Sequence, residues 1–214
     1  GQNITTGAFN TFIGNNAGQA SVTSTQNVMI GLSAGLQGTD VDSTVLIGSN
    51  AGRSITADGT ILIGYEAGYG LTSASQNTII GYRAARSGVS DIHSAVIIGY
   101  EAMYSNTDSS GNVAIGHFAL RQASGGSSRD YNVAIGQDAM RNANPHVSIA
   151  IGKDAGNYLK DGATGVVHIG HEAGRYASAS YNTFMGYQAG QGGTTSAPYS
   201  SGEYNTAIGY QALT

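Results

Sequence analysis

Five carboxylates fall at one recurring position of this 214-residue chain: Glu66, Glu101, Asp138, Asp154 and Glu172, each two residues after a glycine that follows an isoleucine. Acid–base catalysis needs such groups to converge with a nucleophile in one pocket. Carboxylates that recur at the pitch of a repeat read instead as a solvated stripe. The many Ser and Thr residues lie in loops as turn formers, and neither an enzymatic activity nor a cofactor is expected. Asp40 and Asp42, beside Thr39 and Ser43, offer the oxygen ligands that Ca²⁺ prefers. Their spacing departs from the calcium-loop motif, so they read as a polar loop. Tyrosine is the more suggestive type. Tyr65, Tyr82, Tyr100, Tyr187 and Tyr210 each follow the same glycine directly, and Tyr69 and Tyr104 lie four residues further on. Aligned rings can bind sugars or a partner, since Tyr joins apolar area to a polar tip. The alternative is rung-to-rung stacking that stiffens a rod.

These positions belong to a repeat, the feature to seek before any other. Its core is Asn/Thr, then Thr/Val/Ile, an apolar residue, Ile, Gly, two variable residues and Ala. The glycines are Gly14, Gly31, Gly48, Gly64, Gly81, Gly99, Gly116, Gly136, Gly152, Gly170, Gly186 and Gly209, spaced 16 to 23 residues apart. Ile precedes each one except at Met185, and Ala follows each by three residues. Branched Thr, Val and Ile suit a pleated strand, whereas a glycine in every copy disfavours helix by about 1 kcal/mol each. The period is too short for helical-hairpin repeats, which need roughly 33 residues. One turn of a parallel β-solenoid fits it. The expected fold is all-β, a β-roll of about twelve short repeats forming one domain over 1–214. At about 4.8 Å per rung the rod would be on the order of 55–60 Å long.

Alternation along a strand assigns the columns. Ile13, Ile30, Ile47, Ile63, Ile80, Ile98, Ile115, Ile135, Ile151, Ile169, Met185 and Ile208 are expected to fill the coil as its structural core, together with the branched residue two before each. The invariant Ala is expected where the coil narrows, and the Gly where a Cβ is forbidden. Asn recurs three before the Ile, at Asn10, Asn27, Asn77, Asn112, Asn132, Asn182 and Asn205. It serves there as a hydrogen-bonded ladder, as a turn former, or as both. The residue between the two core columns then points outward. Phe12, Met29, Leu46, Leu62, Ile79, Ile97 and Phe184 mark it as an apolar stripe too large to leave in water, hence a subunit interface around an axis. The alternative is a second layer of the same chain. His168 alone breaks this stripe. At a three-fold axis three copies of it would converge and could hold Zn²⁺ or a similar metal; otherwise it packs against its neighbours.

Composition excludes other classes. The net charge is −4 with nine scattered Lys and Arg, against the clustered cations that nucleic acid requires. No apolar run approaches the roughly 18 residues of a membrane helix, so neither nucleic acid nor membrane insertion is expected. Only 10% of residues are charged and 33 are Gly, yet Ile, Val and Tyr keep a fixed spacing that disordered chains lack. Without cysteine, the redox compartment is not legible.

Segments such as Asn132 to Gly136 (Asn-Val-Ala-Ile-Gly) and Asn205 to Gly209 (Asn-Thr-Ala-Ile-Gly) resemble the head repeats of trimeric autotransporter adhesins. The longer string from Asn205 to Leu213 (Asn-Thr-Ala-Ile-Gly-Tyr-Gln-Ala-Leu) resembles repeats of phage tail-fibre-like proteins. The resemblance spans the chain, although the loops here are longer than the adhesin repeat allows. It implies a parallel homotrimer outside the cell, on a virion or cell surface. It further implies a non-enzymatic fibre segment whose loops meet a glycan or protein receptor on a host. An adhesin head and a self-assembling filament are the alternatives. The insertions Arg121–Tyr131 and Gln191–Tyr204, with Tyr199, are the expected receptor contacts. Joining Gly1 after Thr214 would give a Gly-to-Gly spacing of 19, within the observed range. The reading is therefore a piece of a longer fibre, or subunits stacked end to end.

Overall fold

The computed structural model describes residues 2–86, 91–105, 109–121, 130–159, 162–192 and 202–214. Among them there is no helix, and the chain is a parallel β-solenoid. Its strands are β1 Thr11–Ile13, β2 Val28–Ile30, β3 Val45–Ile47, β4 Ile61–Ile63, β5 Thr78–Ile80, β6 Ile92–His93 and β7 Val96–Ile98. There follow β8 Ser109–Ser110, β9 Val113–Ile115, β10 Val133–Ile135, β11 Ile149–Ile151, β12 Val167–Ile169, β13 Thr183–Met185 and β14 Thr206–Ile208. All but β6 and β8 form one twelve-stranded parallel sheet in chain order, and β6 pairs with β8 beside it. Register is column on column: Ile13 pairs with Ile30, Ile30 with Ile47, and so on to Met185 with Ile208.

The strands are only three residues long because the backbone turns at both ends. In β2, Gln26 lies at φ 62° before the strand and Gly31 at φ 136° after it. Side chains without Cβ strain tolerate such values best. The glycine is doubly required. A Cβ on Gly81 would sit 2.2 Å from the carbonyl oxygen of Gly99 on the next rung. Asn before the strand serves as both ladder and turn former. The Asn27 Nδ2 donates to the Asn10 Oδ1 (3.1 Å) and to the Val41 carbonyl (2.5 Å), while its Oδ1 accepts the Thr44 amide (2.9 Å). The same contacts link Asn112 with Asn132 and Asn182 with Asn205. These buried amides satisfy backbone groups that the turn would otherwise orphan.

The two faces of the strands are exchanged relative to the sequence expectation. Met29, Leu46, Leu62, Ile79, Ile97 and Phe184 are buried inside the coil of a single chain, and Phe12 packs against the same core. They are not a subunit interface. The column taken as core faces outward: Ile30, Ile47, Ile63, Ile80, Ile98, Ile115, Ile135, Ile151 and Ile169 are half-buried, and Ile13, Met185 and Ile208 are exposed. The Ala column lies inside as expected, buried from Ala17 to Ala189.

Inside, volume is shared between two columns on most turns. Four residues after the glycine, the chain again points inward. On six rungs with a large mid-strand residue that second position is glycine: Phe12 with Gly18, Met29 with Gly35, Leu46 with Gly52, Leu62 with Gly68, His168 with Gly174 and Phe184 with Gly190; Ile79 meets Ala85, and on one rung Ile97 and Met103 are both large and both fully buried. A Cβ on Gly190 would lie 2.4 Å from the Phe184 ring, and one on Gly35 2.6 Å from the Met29 sulfur. Where the mid-strand residue is Ala114 or Ala134, the second position is Leu120 or Met140, both fully buried. Ala150 is followed by Gly156, and there Leu159 approaches instead. Interiors pack near crystal density, so on most rungs volume at one column is traded against the other.

This reciprocity is testable. Ala114→Leu is expected to cost about 1–3 kcal/mol by overpacking, and Leu120→Gly about 2–5 kcal/mol by cavity formation. Combined, they should cost at least about 1 kcal/mol less than their sum. Denaturant unfolding of the four proteins measures this; strict additivity would sink the rule.

Candidate association face

Each rung turns four side chains outward: the two flanking residues of the strand and one residue on either side. These columns hold Phe9, Ile13, Leu32, Ile61, Tyr65, Tyr82, Tyr100, Tyr131, Val147, Tyr181, Met185, Tyr187, Tyr204, Ile208 and Tyr210. That is fifteen of the eighteen large apolar residues exposed among the described ones; Val22, Tyr158 and Leu213 lie elsewhere. The exposed apolar surface is therefore gathered on one face rather than scattered. Twelve strands at about 4.8 Å and three residues of extended chain make the strand face itself roughly 53 by 10 Å, on the order of 500 Å², with the flanking turns beside it. Soluble monomers rarely expose more than a few hundred Å² in one patch.

The tyrosines border this face as a stack. Tyr65, Tyr82 and Tyr100 follow one another at 5.3 and 5.2 Å between ring centroids, and His117 continues the column at 5.1 Å. His171, Tyr187 and Tyr210 form a second run at 5.0 and 5.4 Å. Rings stacked along the rod cover one another's faces and turn only their edges and hydroxyls outward. That geometry serves rung-to-rung stiffening. It leaves no free ring face within a run for a sugar to stack on. Tyr199 lies outside the described residues, as do 122–129 and 193–201 of the two long insertions.

A column that the sequence reading passed over lies five residues after each glycine. It reads Arg53, Tyr69, Arg86, Tyr104, Arg121, Arg141 and, after Asn157, Arg175. Guanidinium and ring alternate, with Arg53 and Arg86 each 5.4 Å from the Tyr69 ring. The signal that could have found it is the fixed offset of the arginines from the repeat glycine. The carboxylate stripe lies beside this column and is not solvated: Glu66, Glu101, Asp138 and Asp154 are buried. Arg86 and Arg83 pair with Glu66 at 2.5 and 3.0 Å, Arg121 with Glu101 at 2.9 Å, Arg141 with Asp138 at 3.0 Å, and Arg175 with Glu172. Burial would raise the Glu66 carboxyl, but hydrogen bonds from Arg86, Tyr65 and Arg83 with the Arg86 charge hold it below its ordinary value.

Charge divides across the face. The edge after the strand carries seven described cations (Arg53, Arg83, Arg86, Arg121, Arg141, Lys153, Arg175) and five carboxylates, a net +2. The edge before it carries Asp40, Asp42, Asp58, Asp91, Asp130 and Glu203 with no Lys or Arg among the described residues, a net −6. Three of these acids brace the backbone: Asp42 accepts the Thr25 amide (2.6 Å), Asp58 the Asp42 amide (2.7 Å) and Asp130 the Ser110 amide (2.7 Å). Asp40 accepts from the Thr23 hydroxyl at 2.5 Å. No group of three or more metal-ligating side chains occurs among the described residues.

His168 is not at an axis. It is fully buried in the coil, stacked on Phe184 at 5.0 Å, with the backbone of Gly156 and Gly174 drawn close. Copies of it in other chains could not meet, which removes the metal reading. Neither ring nitrogen has a hydrogen-bond partner, and desolvation pushes its pKa down to about 4. Comparison with protein-family models, curated proteins and solved structures returned no match. What fold and site define together is a parallel β-solenoid whose outward strand face is mostly Val and Ile, between an acidic and a basic edge.

The neutral, buried His168 makes stability pH-dependent. Its folded pKa lies below the ordinary 6.5. As pH falls from there towards 4, the unfolded chain binds a proton that the native chain refuses, and stability drops. Between pH 7 and 4.5 the native protein should lose roughly 2–3 kcal/mol more than a His168→Leu variant. Denaturant titrations at both values check this; equal losses would mean that the ring is solvated.

Proposed function

We propose that this chain is a non-enzymatic segment of an extracellular fibre, assembled as a parallel homotrimer whose outward Val/Ile faces meet around a common axis. The carrying observation is the gathering of exposed apolar residues on one face. The strand face alone is on the order of 500 Å², and the Tyr, Leu and Val side chains on the flanking turns extend it towards the roughly 800 Å² per partner of a stable interface. The edge charges support the parallel arrangement. When copies surround an axis along the rod, the −6 edge of one adjoins the +2 edge of the next; an antiparallel pair would set acid against acid. The mechanism is mechanical. In-register hydrogen bonds and stacked columns make a stiff shaft that holds loops away from a particle, as in the tail fibre of a phage or other virus. The ionisable groups support a structural role, since the carboxylates beside the arginine column are held in ion pairs. The Asn-Val-Ala-Ile-Gly rung at 132–136 favours a bacterial adhesin head as the second reading, with the same assembly. Either reading places the protein outside the cell, with a glycan or protein of a host surface as partner.

Light scattering on the purified chain tests the assembly, with an expected mass near three times 21.8 kDa. Replacing Ile63 and Ile80 together by Glu should yield a folded monomer, because both side chains are half-exposed within one chain. A native monomer, or a double variant that remains trimeric, would overturn the assembly.

A further inference from the structure

Nine of the thirteen tyrosines form five face-to-face pairs on successive rungs. Tyr65–Tyr82, Tyr82–Tyr100, Tyr158–Tyr176, Tyr181–Tyr204 and Tyr187–Tyr210 have centroids 5.1 to 5.4 Å apart and planes within 16°. Backbone register holds every pair. Tyr82 sits one rung above Tyr65 because Ile80 is bound in register to Ile63. The rings present their edges to solvent, so the phenol and the carbons ortho to it are open to an oxidant. Three other tyrosines lack such a partner among the described residues. Tyr69 lies between the guanidiniums of Arg53 and Arg86, Tyr104 between those of Arg86 and Arg121, and Tyr131 over Gly111.

We propose that the five stacked pairs are sites of oxidative dityrosine formation, which joins neighbouring rungs of one chain covalently under a haem peroxidase and hydrogen peroxide. Each phenol of a pair gives up one electron and one proton. The two phenoxyl radicals couple through carbons ortho to oxygen. The ortho hydrogens then return to the oxygens as both phenols re-form. Two phenols and one peroxide yield one biphenol and two waters, the peroxide oxygens being reduced. Stacking supplies the proximity that turns a bimolecular radical encounter into an intramolecular one. The pairing follows from rung geometry and holds whether or not copies associate. Tyr158–Tyr176 lies off the strand face and stays accessible in an assembly, whereas the other four pairs lie along the proposed association face and are open to the oxidant in a single chain.

The test treats the purified protein with a haem peroxidase and hydrogen peroxide, then reads dityrosine fluorescence and maps linked peptides by mass spectrometry. The expected result is an intrachain Tyr158–Tyr176 link in the native protein and intrachain links at all five pairs in the monomer made by replacing Ile63 and Ile80 by Glu, independent of protein concentration, with none at Tyr69, Tyr104 or Tyr131. Tyr82→Phe should remove two of the five links and Tyr158→Phe one, and urea-unfolded chain should lose the selectivity. Absence of dityrosine, links that form only between chains in proportion to concentration, or links at Tyr69 and Tyr104 as frequent as at the stacked pairs would each overturn the proposal.

Discussion

Everything in this fold hangs on the approach of one glycine to the next. From Gly14 to Gly186, the position of a missing Cβ lies 2.2 to 2.6 Å from the carbonyl oxygen of the following rung. That distance excludes any side chain, and φ values of 126° to 143° exclude most residues on backbone grounds alone. The glycine column allows the chain to leave each strand at the same angle and return one rung higher. Loop length can vary without disturbing it: the interval from Gly186 to Gly209 is 23 residues and that from Gly170 to Gly186 is 16, yet both bring Ile or Met into the same column.

In-register stacking places like on like, which suits some residues and penalises others. Amides donate and accept up the rod, so Asn10 and Asn27 satisfy each other and the turns around them. Aromatic rings stack at about the rung spacing. Charges would repel, and on the edge after the strand the chain separates or neutralises them, whereas Asp42 and Asp58 follow one another before the strand and are held by backbone amides. Arg83 stands between Glu66 and Glu101, and the three successive acids Asp138, Asp154 and Glu172 each have a cation of their own in Arg141, Lys153 and Arg175. Lys153 is the weakest of these partners, 3.5 Å from Asp154 and half exposed, so it contributes little.

The interior obeys a different constraint. The coil is narrow, and on most rungs its content is shared between the mid-strand residue and the residue six later, Ile97 with Met103 being the rung where both are large. His168 shows what the interior tolerates. It fills space that Phe or Leu fills on other rungs, but with two polar atoms that nothing satisfies, at an acid-sensitive cost. The outer column is the regular one, with Ile on every rung but that of Met185.

The repeat, its strand, its glycine and its invariant alanine were legible in the sequence because each reflects a local backbone requirement that recurs at a fixed offset. The Asn ladder was legible for the same reason. Constancy does not mark the core here, since the near-invariant Ile column faces outward and the variable mid-strand column faces inward. The reciprocity of Phe12 with Gly18, or of Ala114 with Leu120, was present in the residues and pointed to that arrangement. What only the tertiary structure decided is how columns far apart in sequence meet. It seated His168 among two glycines and Phe184, closed the tyrosine faces against one another, and set Arg86 between Tyr69 and Tyr104 while pairing it with Glu66. Those contacts depend on the direction of each turn and the depth of the coil. Both are fixed by packing across sixteen or more residues rather than by any one rung.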